Sequence, residues 1–290
     1  MNEYVLATGR KIFQLAHADR KWQRLTRDHV MDSKALASVD RNGHKLFQVV
    51  GMARSGTTLV TRMLDSNAQM ICFSEPYHSW YMRGFFSKLD GLNIYRKSPT
   101  TVLQSLCYSD KEKYIGFKET FRDIEGRGHA LPTEKFIRGN FSIGTDFTIA
   151  IIRDPRAIWC SLVEKDRTRS DWAKDLKMSE LTLSKRFTDT WNVLVQWIME
   201  ENVFHLKYET LAIDPTDCFA KITSYMKSEN TGYTLEVNKA PKSQVGDRRA
   251  LSNSKVFSTS VEKFRSVITE EEHEFILQEC GKLMKACGYE

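Results

Sequence analysis

The sequence predicts an α/β fold: a single P-loop-like domain with a central parallel β-sheet flanked by helices. Three observations predict it. From Lys45 onward, short apolar runs alternate with amphipathic helical stretches, the pattern of βαβ units. The run Phe147–Ile152 is continuous, β-rich and almost wholly apolar, which suits a parallel strand buried on both faces. The first apolar run leads into a glycine-bounded turn and then a helix, an order of elements that can cradle phosphate.

The chain divides into an N-terminal helical extension, residues 1–45, and a main domain, residues 46–290. Residues 10–30 suit a basic helix with Ile12, Leu15, Trp22 and Leu25 as a loose apolar stripe. Such a stripe suits packing on the core better than lying on a membrane surface. Residues 46–50 form a compact β run, and the helix after it carries Leu59, Val60, Met63 and Leu64. Residues 71–73 and 114–117 are further strand candidates, followed by Phe147–Ile152. A long helix is predicted over 184–200, with Trp191, Leu194, Val195 and Ile198 at helical spacing. Residues 203–206 make a short strand, and a helix over 269–286 bears Phe275, Ile276, Leu283 and Met284.

Composition narrows the function. The 290 residues suffice for one large α/β domain or two small ones. At 41% hydrophobic and 28% charged, the chain is an ordinary globular protein. A net charge of +6 suits an anion binder, but it is too mild and scattered for nucleic acid. No aromatic RNA-binding motif or zinc-finger spacing occurs. The six cysteines form no CxxC pair, and several sit in apolar runs, as reduced thiols of a cytoplasmic protein do. With no apolar run near the ~18 residues of a membrane span and no secretory signal, a cytoplasmic protein is expected.

After the first strand comes Gly51-Met52-Ala53-Arg54-Ser55-Gly56-Thr57-Thr58. The Gly51-to-Gly56 spacing is that of a Walker A loop, with Thr58 where its Ser/Thr falls. Backbone N–H groups and the following helix terminus converge on phosphate in such a loop. Thr57, however, stands where a nucleoside triphosphatase carries the lysine that reaches the β- and γ-phosphates. The cation is instead Arg54, inside the loop, which fits a donor with a shorter 5′ chain. A second signal, Arg153-Asp154-Pro155-Arg156-Ala157, follows the best buried strand. With a helix starting near Pro155, Ser161 lies about two turns along it. Arg153 can fork onto a phosphate and Ser161 can add a hydroxyl donor; pairing of Arg153 with Asp154 or Glu164 is the structural alternative. Together the two sites suit a nucleotide phosphorylated at both ends.

These residues resemble the sulfotransferases that use 3′-phosphoadenosine 5′-phosphosulfate (PAPS). Arg54-Ser55-Gly56-Thr57-Thr58 is similar to that family's 5′-phosphosulfate loop, and Arg153 with Ser161 to its 3′-phosphate site. The likeness covers most of the chain from residue 46, so the main domain resembles a sulfotransferase domain. It includes Lys207-Tyr208-Glu209-Thr210-Leu211 with Asp214-Pro215, and more weakly Phe264-Arg265 through Gly288-Tyr289, where Phe264 replaces the usual tryptophan. The loop arginine and Phe73-Ser74-Glu75-Pro76-Tyr77-His78 look closer to carbohydrate and tyrosylprotein sulfotransferases than to small-molecule cytosolic ones.

The resemblance implies transfer of the sulfuryl group of PAPS to an acceptor hydroxyl, on a carbohydrate, with 3′,5′-adenosine bisphosphate as product and no metal. Sulfuryl transfer needs an in-line acceptor and stabilised charge on the equatorial oxygens and the leaving group. Arg54 and the N–H groups of Gly56, Thr57 and Thr58 are placed to receive that charge. Glu75, which follows the strand at 71–73, is the candidate general base, and the resemblance puts the family's catalytic glutamate there. His78 is the alternative base. Lys118, at the end of a strand, either contacts the sulfuryl or bridging oxygens, as the resemblance suggests, or pairs with Glu119. Tyr208 either contacts adenine or serves the core. Arg248 and Arg249, in a polar stretch rich in serine, either close over the 3′-phosphate or, for at least one of them, are simply solvated. His129 and His205 are isolated.

The acceptor pocket is expected from segments 76–110 and 121–145. There Arg83, Lys88, Arg96 and Lys97 suit an acidic glycan or simply a solvated basic face. A small metabolite or an amine remains an alternative acceptor. Other classes are a P-loop kinase with a degenerate Walker A motif, against which the missing lysine counts, and a nucleotide-binding protein without catalysis.

Overall fold

The computed structural model describes residues 41–74, 113–121, 145–168, 180–234 and 261–290. Five strands form one sheet: β1 (Lys45–Met52), β2 (Met70–Ser74), β3 (Tyr114–Phe121), β4 (Phe147–Ile152) and β5 (His205–Lys207). Their order is β2-β3-β1-β4-β5, and every neighbouring pair is parallel. The predicted α/β class and parallel sheet are therefore observed. The helices are α1 (Thr57–Ser66), α2 (Pro155–Thr168), α3 (Glu180–Glu200), α4 (Tyr208–Ile213), α5 (Pro215–Met226) and α6 (Glu270–Ala286).

Alternation of side chains along each strand divides the core into two layers. Phe47 and Val49 of β1, with Ile149 and Ile151 of β4, pack against Val60, Met63 and Leu64 of α1 and Phe219 and Ile222 of α5. Leu46, Val50 and Met52, with Ala150 and Ile152, pack on the other face against Ile158 of α2, Trp191 and Val195 of α3, and Ile276 and Met284 of α6. Each fully buried side chain of this size contributes about 1.5–3 kcal/mol relative to exposure. Gln48 is the polar exception in β1, and its amide donates to the Thr148 hydroxyl of the adjacent strand at 2.9 Å. The polar group is thereby satisfied inside the sheet.

Several boundaries differ from expectation. β1 continues through Gly51 and Met52, so the turn itself is confined to the residues between Met52 and Thr57. β3 likewise continues to Phe121, because Val50, Gly51 and Met52 remain in register with Glu119, Thr120 and Phe121. The last strand lies two residues later than predicted at its start, at His205–Lys207. α5 was not predicted: Asp214 caps it by accepting from the Asp217 N–H at 2.9 Å, with Pro215 in its first turn. Residues 1–40, and with them almost all of the expected helical extension, lie outside the described residues. No helix among the described residues is long and apolar enough to cross a membrane.

This order positions a site. From β1 the chain crosses by α1 to β2 on one side, while from β4 it runs through α2 and α3 to β5 on the other. The crevice between the carboxyl ends of β1 and β4 is thus a topological switch point, where ligands of open α/β sheets bind.

Candidate functional site

The loop after β1 is closed by its own backbone. Ser55 donates from its N–H (3.1 Å) and its hydroxyl (2.7 Å) to the Met52 carbonyl. Arg54 adopts φ 71°, left-handed backbone that non-glycine residues seldom enter, and Gly56 follows at φ 95°. Gly56 stands at the N-terminus of α1, where the first N–H groups have no partner within the helix. Such groups, with the helix dipole, make the start of α1 a candidate anion site.

β4 delivers the second half. Arg153 is 6% exposed, and its Nη1 donates to the Arg54 carbonyl at 2.7 Å. Its guanidinium carbon lies 4.2 Å from the centre of the Tyr208 ring. Burial is the main influence on this guanidinium and lowers its pKa, while Tyr208 and Glu209 oppose the shift. Trp191 of α3 fixes the backbone here, donating to the Arg153 carbonyl at 3.0 Å. On α2, the Ser161 hydroxyl accepts from Arg54 Nε at 2.9 Å. Arg54, about a hundred residues before the other two in sequence, therefore forms one cluster with Arg153 and Ser161.

Asp154 does not pair with Arg153. Its carboxylate caps α2 by accepting from the Arg156 N–H at 2.8 Å, and it binds the Arg156 guanidinium at 2.7 Å. A side chain adjacent in sequence points the opposite way along an extended strand end, so the next helical residue takes the carboxylate instead. Arg156 also lies 4.7 Å over the Phe264 ring, which ties the segment before α6 to α2.

Lys118 is not at a strand end, because β3 runs three residues further. It is nevertheless brought to the site: 2% exposed, it donates from Nζ to the Thr58 hydroxyl at 3.4 Å. Tyr208 is buried, and a Cβ placed on Gly56 would collide with its ring. Ser55 and Thr57 are buried and serve the loop rather than facing outward. Glu75 follows Ser74 at the end of β2 but lies outside the described residues, as do His78, His129, Arg248 and Arg249. The expected acceptor segments also lie outside them, apart from Phe121 and Thr145.

Other candidate features sit elsewhere. A cavity of about 580 Å³, lined by Asp146, Thr148, Phe204, His205 and Tyr225, opens at the amino ends of β4 and β5, away from the loop. Glu270, His273 and Glu274 place three potential metal ligands within 4.8 Å of one another at the exposed start of α6, a group the sequence reading did not single out. The Arg156 guanidinium 3.4 Å from His273 and the positive end of the helix dipole both oppose a cation there. The described cysteines, at 72, 160, 218, 280 and 287, are buried free thiols. Burial raises the Cys287 thiol to about 11.

No protein-family model and no curated protein sequence matches the chain. Solved structures do. One is the sulfotransferase domain from the curacin biosynthetic pathway, at TM-score 0.53 and 13% identity, covering 85% of this chain and 98% of that one. Another is the sulfotransferase domain from the Synechococcus PCC 7002 olefin synthase, at TM-score 0.52 and 15% identity, covering 87% and 98%. The parallel sheet and its flanking helices are thus the fold of these sulfotransferase domains.

Proposed function

We propose that the chain is a sulfotransferase that moves the sulfuryl group of 3′-phosphoadenosine 5′-phosphosulfate to an acceptor hydroxyl, on a carbohydrate. The observation that carries the reading is the convergence of Arg54, Arg153 and Ser161 at the switch point, with Thr57 where a triphosphatase needs lysine. The site fits such a donor: two guanidinium groups, a hydroxyl and an open helix terminus supply donors for two separated phosphate groups.

In this reading the donor supplies an activated sulfuryl group and a phosphate leaving group. Arg54 and the N–H groups of Gly56, Thr57 and Thr58 hold the 5′ end and receive the charge that develops on the leaving oxygen. Arg153 and Ser161 hold the 3′-phosphate, which orients the reacting bond. Lys118 stabilises the sulfuryl oxygens, and Tyr208 lies beneath the nucleotide. Glu75 takes the acceptor's proton. Buried thiols support a reducing, cytoplasmic setting.

The test is calorimetric titration with 3′,5′-adenosine bisphosphate without magnesium, beside ATP with magnesium. The bisphosphate is expected to bind tightly, and Arg153→Ala to weaken it by about a hundredfold, the worth of hydrogen bonds to a charged group. Magnesium-dependent ATP binding with no response to the bisphosphate would sink the reading and favour a kinase. Glu75→Gln should leave bisphosphate affinity within about twofold but lower turnover about a hundredfold. Unchanged turnover would remove Glu75 as the base and direct attention to His78.

A further inference from the structure

Sulfuryl transfer makes no use of the cavity at the amino ends of β4 and β5. β4 runs from there toward the donor crevice, so its 6 residues, at ~3.3 Å each, set the two sites roughly 20 Å apart. The cavity volume, about 580 Å³, falls among the ~300–1,000 Å³ typical of small-molecule sites.

One wall is built by the end of α3. The Asn202 N–H donates to the Met199 carbonyl at 3.3 Å and the Val203 N–H to the Ile198 carbonyl at 2.9 Å, the paired bonds of a Schellman turn. Asn202 supplies its left-handed residue, at φ 49°, a conformation that asparagine tolerates. The turn leaves Glu201 and Asn202 exposed on the cavity and leads the chain through Phe204 into β5. Phe204 stacks on Tyr225 of α5, with ring centres 4.3 Å apart and planes 6° from parallel. Phe147 meets Tyr225 edge-on at 5.6 Å, and Tyr114 lies 6.4 Å from Phe147. Neighbouring rings thus set the stacked pair in advance, which lowers the ordering cost of binding.

The polar groups of the lining are mixed. The Tyr225 hydroxyl oxygen accepts from the Thr148 N–H at 3.3 Å, so its own proton is directed elsewhere as a donor. His205 Nδ1 lies 3.0 Å from the Val203 carbonyl, which places the proton of the neutral ring there and makes Nε2 an acceptor. Asn202 offers both functions, and Glu201 accepts. Charge is nearly balanced, because Arg41 pairs with Asp146 at 2.8 Å. The Glu201 carboxylate and the negative end of the α3 dipole oppose an anion, while one exposed carboxylate holds a cation only weakly. A neutral ligand with an apolar face and several hydroxyls fits this lining.

We propose that the cavity is a carbohydrate-binding site separate from the donor crevice: Phe204 and Tyr225 receive the C–H face of a neutral sugar ring, while Glu201, Asn202, His205 and the Tyr225 hydroxyl bond its hydroxyls. The site does not depend on the donor reading, since no residue is shared with it.

The full chain would be titrated with neutral tetrasaccharides of glucose, galactose, mannose and N-acetylglucosamine, and separately with choline, while backbone amide resonances are followed. At least one tetrasaccharide should bind with a Kd of about 1 mM or tighter and shift the signals of Val203, Phe204, His205 and Tyr225. Glu201→Ala with Asn202→Gly should weaken it about tenfold. Both positions are exposed, and glycine keeps the left-handed turn. The same variant should bind 3′,5′-adenosine bisphosphate within about twofold of wild type. No sugar-induced shift at these residues, sugar binding untouched by the double variant, or choline binding in place of every sugar would each overturn the proposal. Loss of bisphosphate binding in the double variant would overturn the separateness of the two sites. A wild type that ignores the bisphosphate but binds a tetrasaccharide here would remove the sulfotransferase reading and support the sugar site.

Discussion

Replacing Lys118 by methionine should lower turnover about 10²–10³-fold, the usual cost of deleting one transition-state donor, while the melting temperature stays constant or rises. The two effects separate because the lysine is buried in the middle of β3, with its ammonium on the Thr58 hydroxyl. Removing that charge from water costs stability, whereas methionine fills nearly the same space without the cost. What methionine cannot do is place a cation 3.4 Å from Thr58, in front of the first turn of α1, where charge would gather on the leaving group. Turnover at saturating donor, read beside scanning calorimetry, tests this. A turnover within threefold of wild type would strip Lys118 of any catalytic part, and a large drop in melting temperature would assign it to the scaffold.

Gly56→Ala should abolish measurable bisphosphate binding and destabilise the fold by roughly 2–4 kcal/mol, combining a left-handed backbone penalty with overpacking. At φ 95° an L side chain is strained, and its Cβ would run into the Tyr208 ring. The collision has a second consequence, because the same ring supports the Arg153 guanidinium. A displaced Tyr208 therefore disturbs both halves of the site at once. Chemical denaturation gives the stability and calorimetry the affinity. Wild-type affinity in Gly56→Ala would show that the loop does not hold the donor.

What could be foreseen follows the range of the interactions. β4 was legible because burial on both faces leaves only apolar residues, and α2 because Asp154-Pro155 is a local start signal. α5 carried an equally local signal in Asp214-Pro215, with Phe219, Ile222 and Met226 on one face, but that pair had been attributed to the motif around Tyr208. Arg54 and Arg153 could be nominated separately from their loops. Their contact could not, since register across the sheet decides it and no nearby residue encodes it. The hydrogen bond from the Tyr289 hydroxyl to Glu209 joins residues 80 apart and depends on where α6 stops, so sequence spacing carries no trace of it. Lys118 was expected at a strand end because the apolar run stops at Phe117, whereas β1 keeps Glu119, Thr120 and Phe121 in the ladder.

The central place of β1 also governs the order in which the molecule can be assembled. During synthesis β1 emerges before both of its partners, so one of its edges must wait for residues 114–121 and the other for residues 147–152. Parallel pairing over such separations is slow, since a long loop must close before any contact is gained. A nascent chain released before β4 therefore leaves one edge of β1 unpaired along a largely apolar strand, the kind of edge that recruits other chains. Chaperone demand should be greatest in that interval. Bisphosphate in the refolding buffer should then raise the final yield without speeding the first collapse, because the groups that would bind it meet only after β4 has docked.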